Sequence, residues 1–293
     1  MKKLIILIVI LLSTTSILFA QKTPFEKFDK SRIDVGTMYV YEYSKNKEDF
    51  EPSSKEYLYI KTLNDIEIMW FSIKDTISTL TLLEKYKMNW DYMMFERSEW
   101  QGFINKNKMV NNTTLEAKGN INFVKKELKY NGINKVKDRF KKWSFVSKFE
   151  SIPTYFYRLT DLMPLWFALR FYPLGKEKIT VNSLTGGYNV NMDVKYEGKE
   201  EVEVPFGKVL SYKFELVPQL SFFMKLFHSP KKVFIWLTSE DSSRYMVKYR
   251  NNNERSTFTQ SMEYRLAERK KMTLEEWEQF KEKHIAKDTN STN

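Results

Sequence analysis

Residues 188–194 read Tyr-Asn-Val-Asn-Met-Asp-Val, an unbroken alternation of apolar and polar side chains. Successive side chains of a β-strand point to opposite faces of a sheet, so this pattern predicts a strand with one wet face. Gly186-Gly187 comes directly before it and predicts a turn, and residues 178–181 before that turn predict a partner strand. The segment therefore indicates an antiparallel hairpin.

The same style continues outward along the chain. Residues 38–43 read Met-Tyr-Val-Tyr-Glu-Tyr, and β-branched and aromatic residues suit a pleated, half-buried surface. Short strands separated by turn residues at intervals of about 8 to 12 residues indicate an antiparallel sandwich or barrel rather than βαβ units. The further predicted strands are 57–60, 66–73, 79–88, 92–95, 103–110, 113–118, 121–128, 200–204, 208–217, 232–238, 245–249 and 256–265, with turns at 64–65, 111–112, 119–120 and 205–207.

Two segments break the β pattern and predict helices. Residues 161–170 carry Pro164 in their first turn, where a missing N–H costs little, and Pro173 and Gly175 follow. Near the C-terminus, Thr273-Leu274-Glu275-Glu276 has the spacing of a capping box. Leu274, Trp277 and Phe280 then share one face of a helix that is expected to run to about residue 284.

The N-terminus has the three parts of a secretory signal peptide: basic Lys2 and Lys3, an apolar run over 4–12, and Ala20 before Gln21. We predict cleavage after Ala20 and export to the periplasm or cell envelope. An uncleaved anchor is the alternative, although the apolar run is shorter than the roughly 20 residues of a membrane span.

The chain has no Cys, so a lipid-modified Cys at the cleavage site and disulfide bonds are both excluded. A mature chain of this length can bury a sufficient core without disulfides, and one large domain is the first expectation. The predicted organisation is a signal peptide over 1–20, an extension over 21–35, one β domain over 36–268, a C-terminal helix over 269–286 and a disordered tail over 287–293.

No catalytic or metal constellation is visible. The chain has two His, His228 and His284, and no glycine-rich phosphate loop. We therefore predict no metal site and no cofactor, and a role that is not enzymatic. A pair of carboxylates brought together by folding remains open at this point, because such a pair leaves no local sequence signal.

Two aromatic segments are candidate ligand sites. Residues 152–174 could plug one opening of a curled sheet as core, or they could line an apolar cavity. Residues 216–227 contain Pro218 and are followed by Pro230. They could insert into a lipid interface or pack against the sheet. The candidate ligand contacts are Trp166, Phe167, Phe171, Phe222, Phe223 and Phe227.

A third candidate is a basic stretch. Residues 118–148 contain ten Lys or Arg against Glu127 and Asp138, with aromatic residues interleaved. Such a stretch can contact anionic lipid head groups, or it can be a solvated hairpin whose aromatics pack on the core. Nucleic acid is not an expected partner of an exported protein. The candidate patch comprises Lys125, Lys126, Lys137, Arg139, Lys141 and Lys142.

The second half also resembles a known family. Residues 161–175 combine an Asp-Leu-Met start, the run Trp-Phe-Ala-Leu-Arg and a closing Pro-Leu-Gly. Residues 202–208 read Val-Glu-Val-Pro-Phe-Gly-Lys, and residues 233–241 read Val-Phe-Ile-Trp-Leu-Thr-Ser-Glu-Asp. These motifs are similar to those of an exported bacterial family, domain of unknown function three-one-zero-eight, best over 150–265. Tyr245-Met246 replaces a proline that the family has in its next strand.

The resemblance implies an all-β, periplasmic, lipocalin-like or curled-sheet protein, with no activity and no catalytic residues to carry over. Together with the pattern of strands, it leads to an all-β fold: a single antiparallel curled sheet or barrel with one inner helix and a C-terminal helix. The predicted function is binding of an apolar or lipid-like ligand or a membrane surface. The alternatives are a glycan-binding or scaffolding module and a carboxylate-based hydrolase.

Overall fold

The computed structural model describes residues 24–44, 50–72, 78–89, 94–106, 110–122, 127–136, 139–148, 155–157, 163–185, 188–219, 232–252 and 262–290. Within these ranges the chain forms fifteen β-strands. The strands are β1 (Thr37–Ser44), β2 (Ser54–Ile60), β3 (Asp65–Ser72), β4 (Ser78–Asn89), β5 (Met94–Lys106), β6 (Val110–Asn122), β7 (Glu127–Val136), β8 (Arg139–Lys148), β9 (Tyr155–Tyr157), β10 (Lys178–Thr185), β11 (Tyr188–Val204), β12 (Gly207–Pro218), β13 (Lys232–Thr238), β14 (Met246–Asn252) and β15 (Met262–Lys271).

The same ranges contain a 3-10 turn, Lys30–Arg32, and two α-helices, α1 (Met163–Leu169) and α2 (Leu274–Asn290). The predicted signal peptide lies outside the described residues. None of the described helices is long and apolar enough to cross a membrane.

All fifteen described strands belong to one sheet, in the order β8-β7-β6-β5-β4-β3-β2-β1-β15-β14-β13-β12-β11-β10-β9. Two meanders, β1 to β8 and β10 to β15, are thus joined where β1 pairs with β15. The neighbouring strands are antiparallel, except that β9 runs parallel to β10 at one edge. The prediction of a single, mostly antiparallel sheet is confirmed.

Buried side chains from both meanders belong to one core, so the sheet curls around it. Its members include Tyr39, Leu58 and Ile68 from the first meander and Val194, Phe214, Ile235, Tyr249 and Leu266 from the second. Register shifts between β1 and β15, β11 and β12, and β13 and β14 mark bulges, whose extra residues lie on β15, β11 and β14; bulges increase the local twist of a sheet. At the shift in β11, Gly198 has a φ of 101°, which other residues rarely adopt.

The N-terminal meander corrects several predicted boundaries. The predicted turns at 111–112 and 119–120 are wrong, because both pairs lie inside β6. Gly119 pairs with Tyr130 and Asn120 with Lys129, so the ladder with β7 continues through these turn-favouring residues. The predicted separate strands at 92–95 and 103–110 are also wrong, because residues 94–106 form the single strand β5.

Helix α2 packs on the outer face of the sheet, against a second core formed by Met38, Val40, Tyr59, Met69, Leu83 and Trp277. The predicted capping box is confirmed: the Thr273 N–H donates to Glu276 Oε2 at 2.6 Å, and the Glu276 N–H donates to Thr273 Oγ1 at 3.2 Å. The helix begins at residue 274 and runs to residue 290, beyond the expected end at 286.

Of the three residues predicted to share one face of this helix, Trp277 is fully buried and Phe280 packs against the second core, whereas Leu274 is 48% exposed. Lys281 takes a buried place beside Trp277 instead. Its Nζ donates to Glu67 Oε2 at 2.7 Å, and Trp277 Nε1 donates to the same oxygen at 2.8 Å. His284 lies against the rings of Tyr57 and Phe280.

Candidate functional site

Helix α1 lies inside the curled sheet and supplies the centre of the candidate site. Trp166, Phe167, Ala168 and Leu169 are all at most 1% exposed. The Trp166 ring packs edge-on against Tyr41 from β1, with 6.2 Å between ring centroids, and lies 5.4 Å from Phe167. The position of α1 therefore agrees with the alternative in which this segment fills one opening of the curled sheet and completes the core.

Arg170 follows the last residue of α1 and is fully buried. Its Nη1 donates to the backbone oxygen of Arg32 at 2.9 Å, and Arg32 Nη1 donates to the backbone oxygen of Arg170 at 2.9 Å. The guanidinium lies over the ring of Phe167 at 4.3 Å, with Trp166 at 5.5 Å and Tyr39 at 5.8 Å. The remaining donors, Nε and Nη2, have no hydrogen-bond partner within the described part of the chain.

Two more arginines surround the end of α1. Arg244 Nη1 lies 3.2 Å from the backbone oxygens of both Arg170 and Tyr172, which a helix end leaves without intrahelical donors. Burial, and then the nearby charge of Arg32, lower the pKa of Arg244. Arg32 itself pairs with Glu26 at 2.7 Å. The end of the inner helix is therefore a cationic region.

A second group of charged side chains lies beside this region. Arg269 on β15 pairs with Asp34 at 3.0 Å and with Asp241 at 2.8 Å. The hydroxyl of Tyr39 donates to the same Asp34. Burial is the main cause that raises the pKa of Tyr39, so this hydroxyl keeps its proton at neutral pH.

The remaining predicted ligand contacts are not all brought together. Phe171 is buried like Trp166 and Phe167, but it faces Phe28 at 5.6 Å and Arg32 at 5.7 Å. Phe222, Phe223 and Phe227 lie outside the described residues.

The described residues of the basic stretch lie in the end of β6 and in β7 and β8, which pair antiparallel. Lys142 is exposed on β8, as is Val146. Arg139 and Lys141 lie on the same strand. Lys125, Lys126 and Lys137 lie outside the described residues.

Sequence reasoning missed Arg32, Arg170 and Arg244 as a group. Arg170 entered the sequence analysis only as the last residue of the Trp-Phe-Ala-Leu-Arg motif. The available signal was an arginine directly after four apolar residues, at the end of a short helix predicted to lie in the core. Its partner Arg32 is 138 residues away in the chain, and nothing local predicts that contact.

The buried carboxylates do not resemble a catalytic acid. Glu263 is enclosed by Lys248, Arg250 and Arg265, with nitrogen–oxygen distances of 2.5 to 3.1 Å. The pKa is lowered for the carboxyl groups of Asp29, Glu67, Asp193, Glu200, Glu215, Asp241, Glu263 and Glu276. A general acid at neutral pH needs a raised pKa instead. The described residues also contain no cluster of three or more His, Cys, Asp or Glu that could hold a metal.

No family model matches the sequence. No curated protein matches it either. One similar solved structure is a beta-barrel-like protein of domain of unknown function DUF1849 from Brucella abortus, with 10% identity, a TM-score of 0.44, and coverage of 80% of this chain and 97% of that one. Another is a Bacteroides fragilis protein with a YmcC-like fold, described provisionally as exported, with 7% identity, a TM-score of 0.26, and coverage of 81% and 97%. The resemblance to domain of unknown function three-one-zero-eight stays a prediction.

Proposed function

We propose that this chain is an exported, non-catalytic protein of the cell envelope that binds an apolar or lipid-like ligand inside its curled sheet. The observation that carries the proposal is the composition of the core around α1. The rings of Trp166 and Phe167 lie against a buried polar group, the guanidinium of Arg170, whose Nε and Nη2 have no hydrogen-bond partner in the described part of the chain. Ligand sites have this composition: mostly apolar walls with a few placed polar groups.

A core that serves stability alone gains little from such groups. Burying an arginine costs free energy unless the charge is paired and hydrogen-bonded, whereas aliphatic side chains would fill the same space without that cost. A ligand that accepts hydrogen bonds from Nε and Nη2 of Arg170 would account for the position of this guanidinium. Phe222, Phe223 and Phe227, from the aromatic segment over 216–227, remain proposed contacts.

The test is extraction of the purified protein with organic solvent, followed by mass spectrometry of the extract. We expect a lipid or a similar amphiphile in near-stoichiometric amount. The matched control is Phe206→Ala, because Phe206 lies exposed in the turn between β11 and β12 and should not change the extract. A protein that is empty after native purification, and that also fails to take up lipid from liposomes, would contradict the proposal.

A membrane surface is a second proposed partner, favoured by the β7–β8 hairpin. Lys142 and Val146 both face solvent, and Val146 is 49% exposed, so a charge and an apolar side chain are available on one strand. A lysine near an anionic bilayer adds about 1 kcal/mol, so Lys142→Gln should weaken binding to anionic vesicles roughly fivefold. Lys208→Gln, at an exposed position near the start of β12, is the control, and equal losses in the two variants would count against this surface.

The alternatives have less support. A glycan-binding face needs exposed Trp or Tyr rings, and the exposed aromatic side chain that carries a described burial is Phe206. A carboxylate-based hydrolase needs an acid of raised pKa, whereas the carboxyl groups described above have lowered values.

A further inference from the structure

We propose that the ligand carries an anionic group with two or more oxygens, a carboxylate or a phosphate, and that Arg170 binds this group through Nε and Nη2. The inference rests on the proposed function, because the same core holds the ligand. It goes further by assigning the class of ligand, an anionic amphiphile, and the residue that anchors its head group.

The first step is the geometry of the guanidinium. Arg170 Nη1 is engaged by the backbone oxygen of Arg32, so it is not available to a ligand. Nε and Nη2, both buried and without a partner in the described part of the chain, form the adjacent pair of donors along one edge of the planar group. That edge matches two oxygens of a carboxylate or phosphate in a bidentate contact.

The second step is the charge balance. Glu26 is paired with Arg32, and Asp34 and Asp241 are paired with Arg269. Within the described residues, no carboxylate lies at ion-pair distance from Arg170. The rings of Phe167 and Trp166 offer π faces to the guanidinium but no acceptor to its edge. Arg32 and Arg244 add further positive charge nearby, so the missing acceptor should be negative and come from outside the chain.

The third step is the character of the surroundings. Tyr39, Trp166 and Phe167 present rings around the guanidinium, and all three are at most 1% exposed. A small hydrated anion would lose its water there without gaining apolar contacts. An anion at the end of a hydrocarbon chain brings both parts that the site can use: oxygens for the edge of Arg170 and an apolar tail for the rings.

The experiment compares two probes that share a chain and differ in the head group, oleate and oleyl alcohol, on the purified and delipidated protein. Titration calorimetry should give at least tenfold tighter binding of oleate by the wild-type protein. Arg170→Lys keeps the charge but lacks the two-donor edge, and Arg170→Met removes both. Each variant should lose at least tenfold in affinity for oleate and less than threefold in affinity for oleyl alcohol. The retained binding of oleyl alcohol also shows that the variant is folded.

Arg250→Met is the matched control, since Arg250 lies on the outer face of β14 beside Glu263, and it should bind oleate as the wild type does. Acetate and inorganic phosphate test the free ions, and binding of either as tight as that of oleate would overturn the amphiphile. Equal binding of oleate and oleyl alcohol by the wild type would overturn the role of Arg170 and leave the proposed function standing. Failure of both probes to bind would overturn the proposed function itself.

Discussion

Glu263 shows at the residue scale how this sheet tolerates a buried charge. It is 1% exposed on β15, and Lys248, Arg250 and Arg265 contact its two carboxylate oxygens. Burial acts to raise the pKa of Glu263, but the hydrogen bonds from Arg250 and Arg265 outweigh it and lower the pKa. The ionised form is therefore the one that the folded state stabilises.

We predict that Glu263→Gln lowers the free energy of unfolding by about 3 kcal/mol at pH 7, because three cations lose their counter-charge. A group with a lowered pKa contributes stability that is present above its unfolded pKa of roughly 4.3 and lost as pH falls through the folded pKa. Urea unfolding at pH 7 and below pH 4 should thus show a gap between wild type and variant that narrows with acid.

Glu201→Gln is the control for Glu263→Gln. Glu201 pairs with Lys208 at 3.6 Å, and both side chains are more than 60% exposed. Exposed pairs contribute about 0 to 1 kcal/mol, so this variant should unfold nearly as the wild type does at both pH values. A loss that does not shrink on acidification would assign the effect of Glu263→Gln to packing rather than to charge.

Helix α2 is the element whose attachment can be measured most directly. Trp277 is fully buried and stacks on Tyr59, with 5.0 Å between ring centroids, and its Nε1 donates to Glu67. We predict that Trp277→Ala lowers the free energy of unfolding by about 3 to 5 kcal/mol, as large-to-small changes of aromatic core residues do. Leu274→Ala, at an exposed position of the same helix, should lower the free energy of unfolding by less than about 1 kcal/mol. If Leu274→Ala and Trp277→Ala lowered it equally, the face of α2 that packs on the sheet would not be the one described.

The start of the same helix supplies a separate prediction. Thr273 and Glu276 exchange the two hydrogen bonds of the capping box, and the contact with the Thr273 N–H lowers the pKa of Glu276. Thr273→Ala should cost about 1 kcal/mol of unfolding free energy, measured by thermal or urea denaturation. Thr273→Ser keeps the hydroxyl, so its free energy of unfolding should be close to that of the wild type. A loss in Thr273→Ser as large as that in Thr273→Ala would show that the methyl group, not the capping hydroxyl, is what stabilises the helix.

Elements of this protein were predictable where the signal was local. The capping box at 273–276 and the alternation over 188–194 both place their elements correctly, because each depends on neighbours within a few residues. The turn at 119–120 was wrong because pairing with β7 overrides the turn preference of Gly and Asn. The turn at 111–112 was wrong because these residues lie inside β6, next to an irregularity in its register with β5. The inner arginines were missed for a related reason, since the contact of Arg170 with Arg32 is made by the tertiary fold.

On the scale of the whole molecule, the decisive contact is the pairing of β1 with β15. Thr37 pairs with Lys271 and Ser44 with Glu263, which joins the first and the last strand of the chain. Alternation within either strand predicts which side chains face the core, but it contains no information on which of the other strands lies alongside. The parallel pairing of β9 with β10 at the edge is equally invisible to a local pattern.

This junction predicts cooperative unfolding of the two meanders. Leu266 is fully buried on β15 and belongs to the core that contains Leu58 from β2 and Ile235 from β13. Leu266→Ala should lower the free energy of unfolding by about 2 to 5 kcal/mol. Because one core spans the junction, amide hydrogen exchange measured under conditions of global opening should speed up by similar factors in β2 and in β13. Faster exchange confined to β13–β15 would instead show that the meanders open separately, and Leu210→Ala, at an exposed position of β12, should leave both rates unchanged.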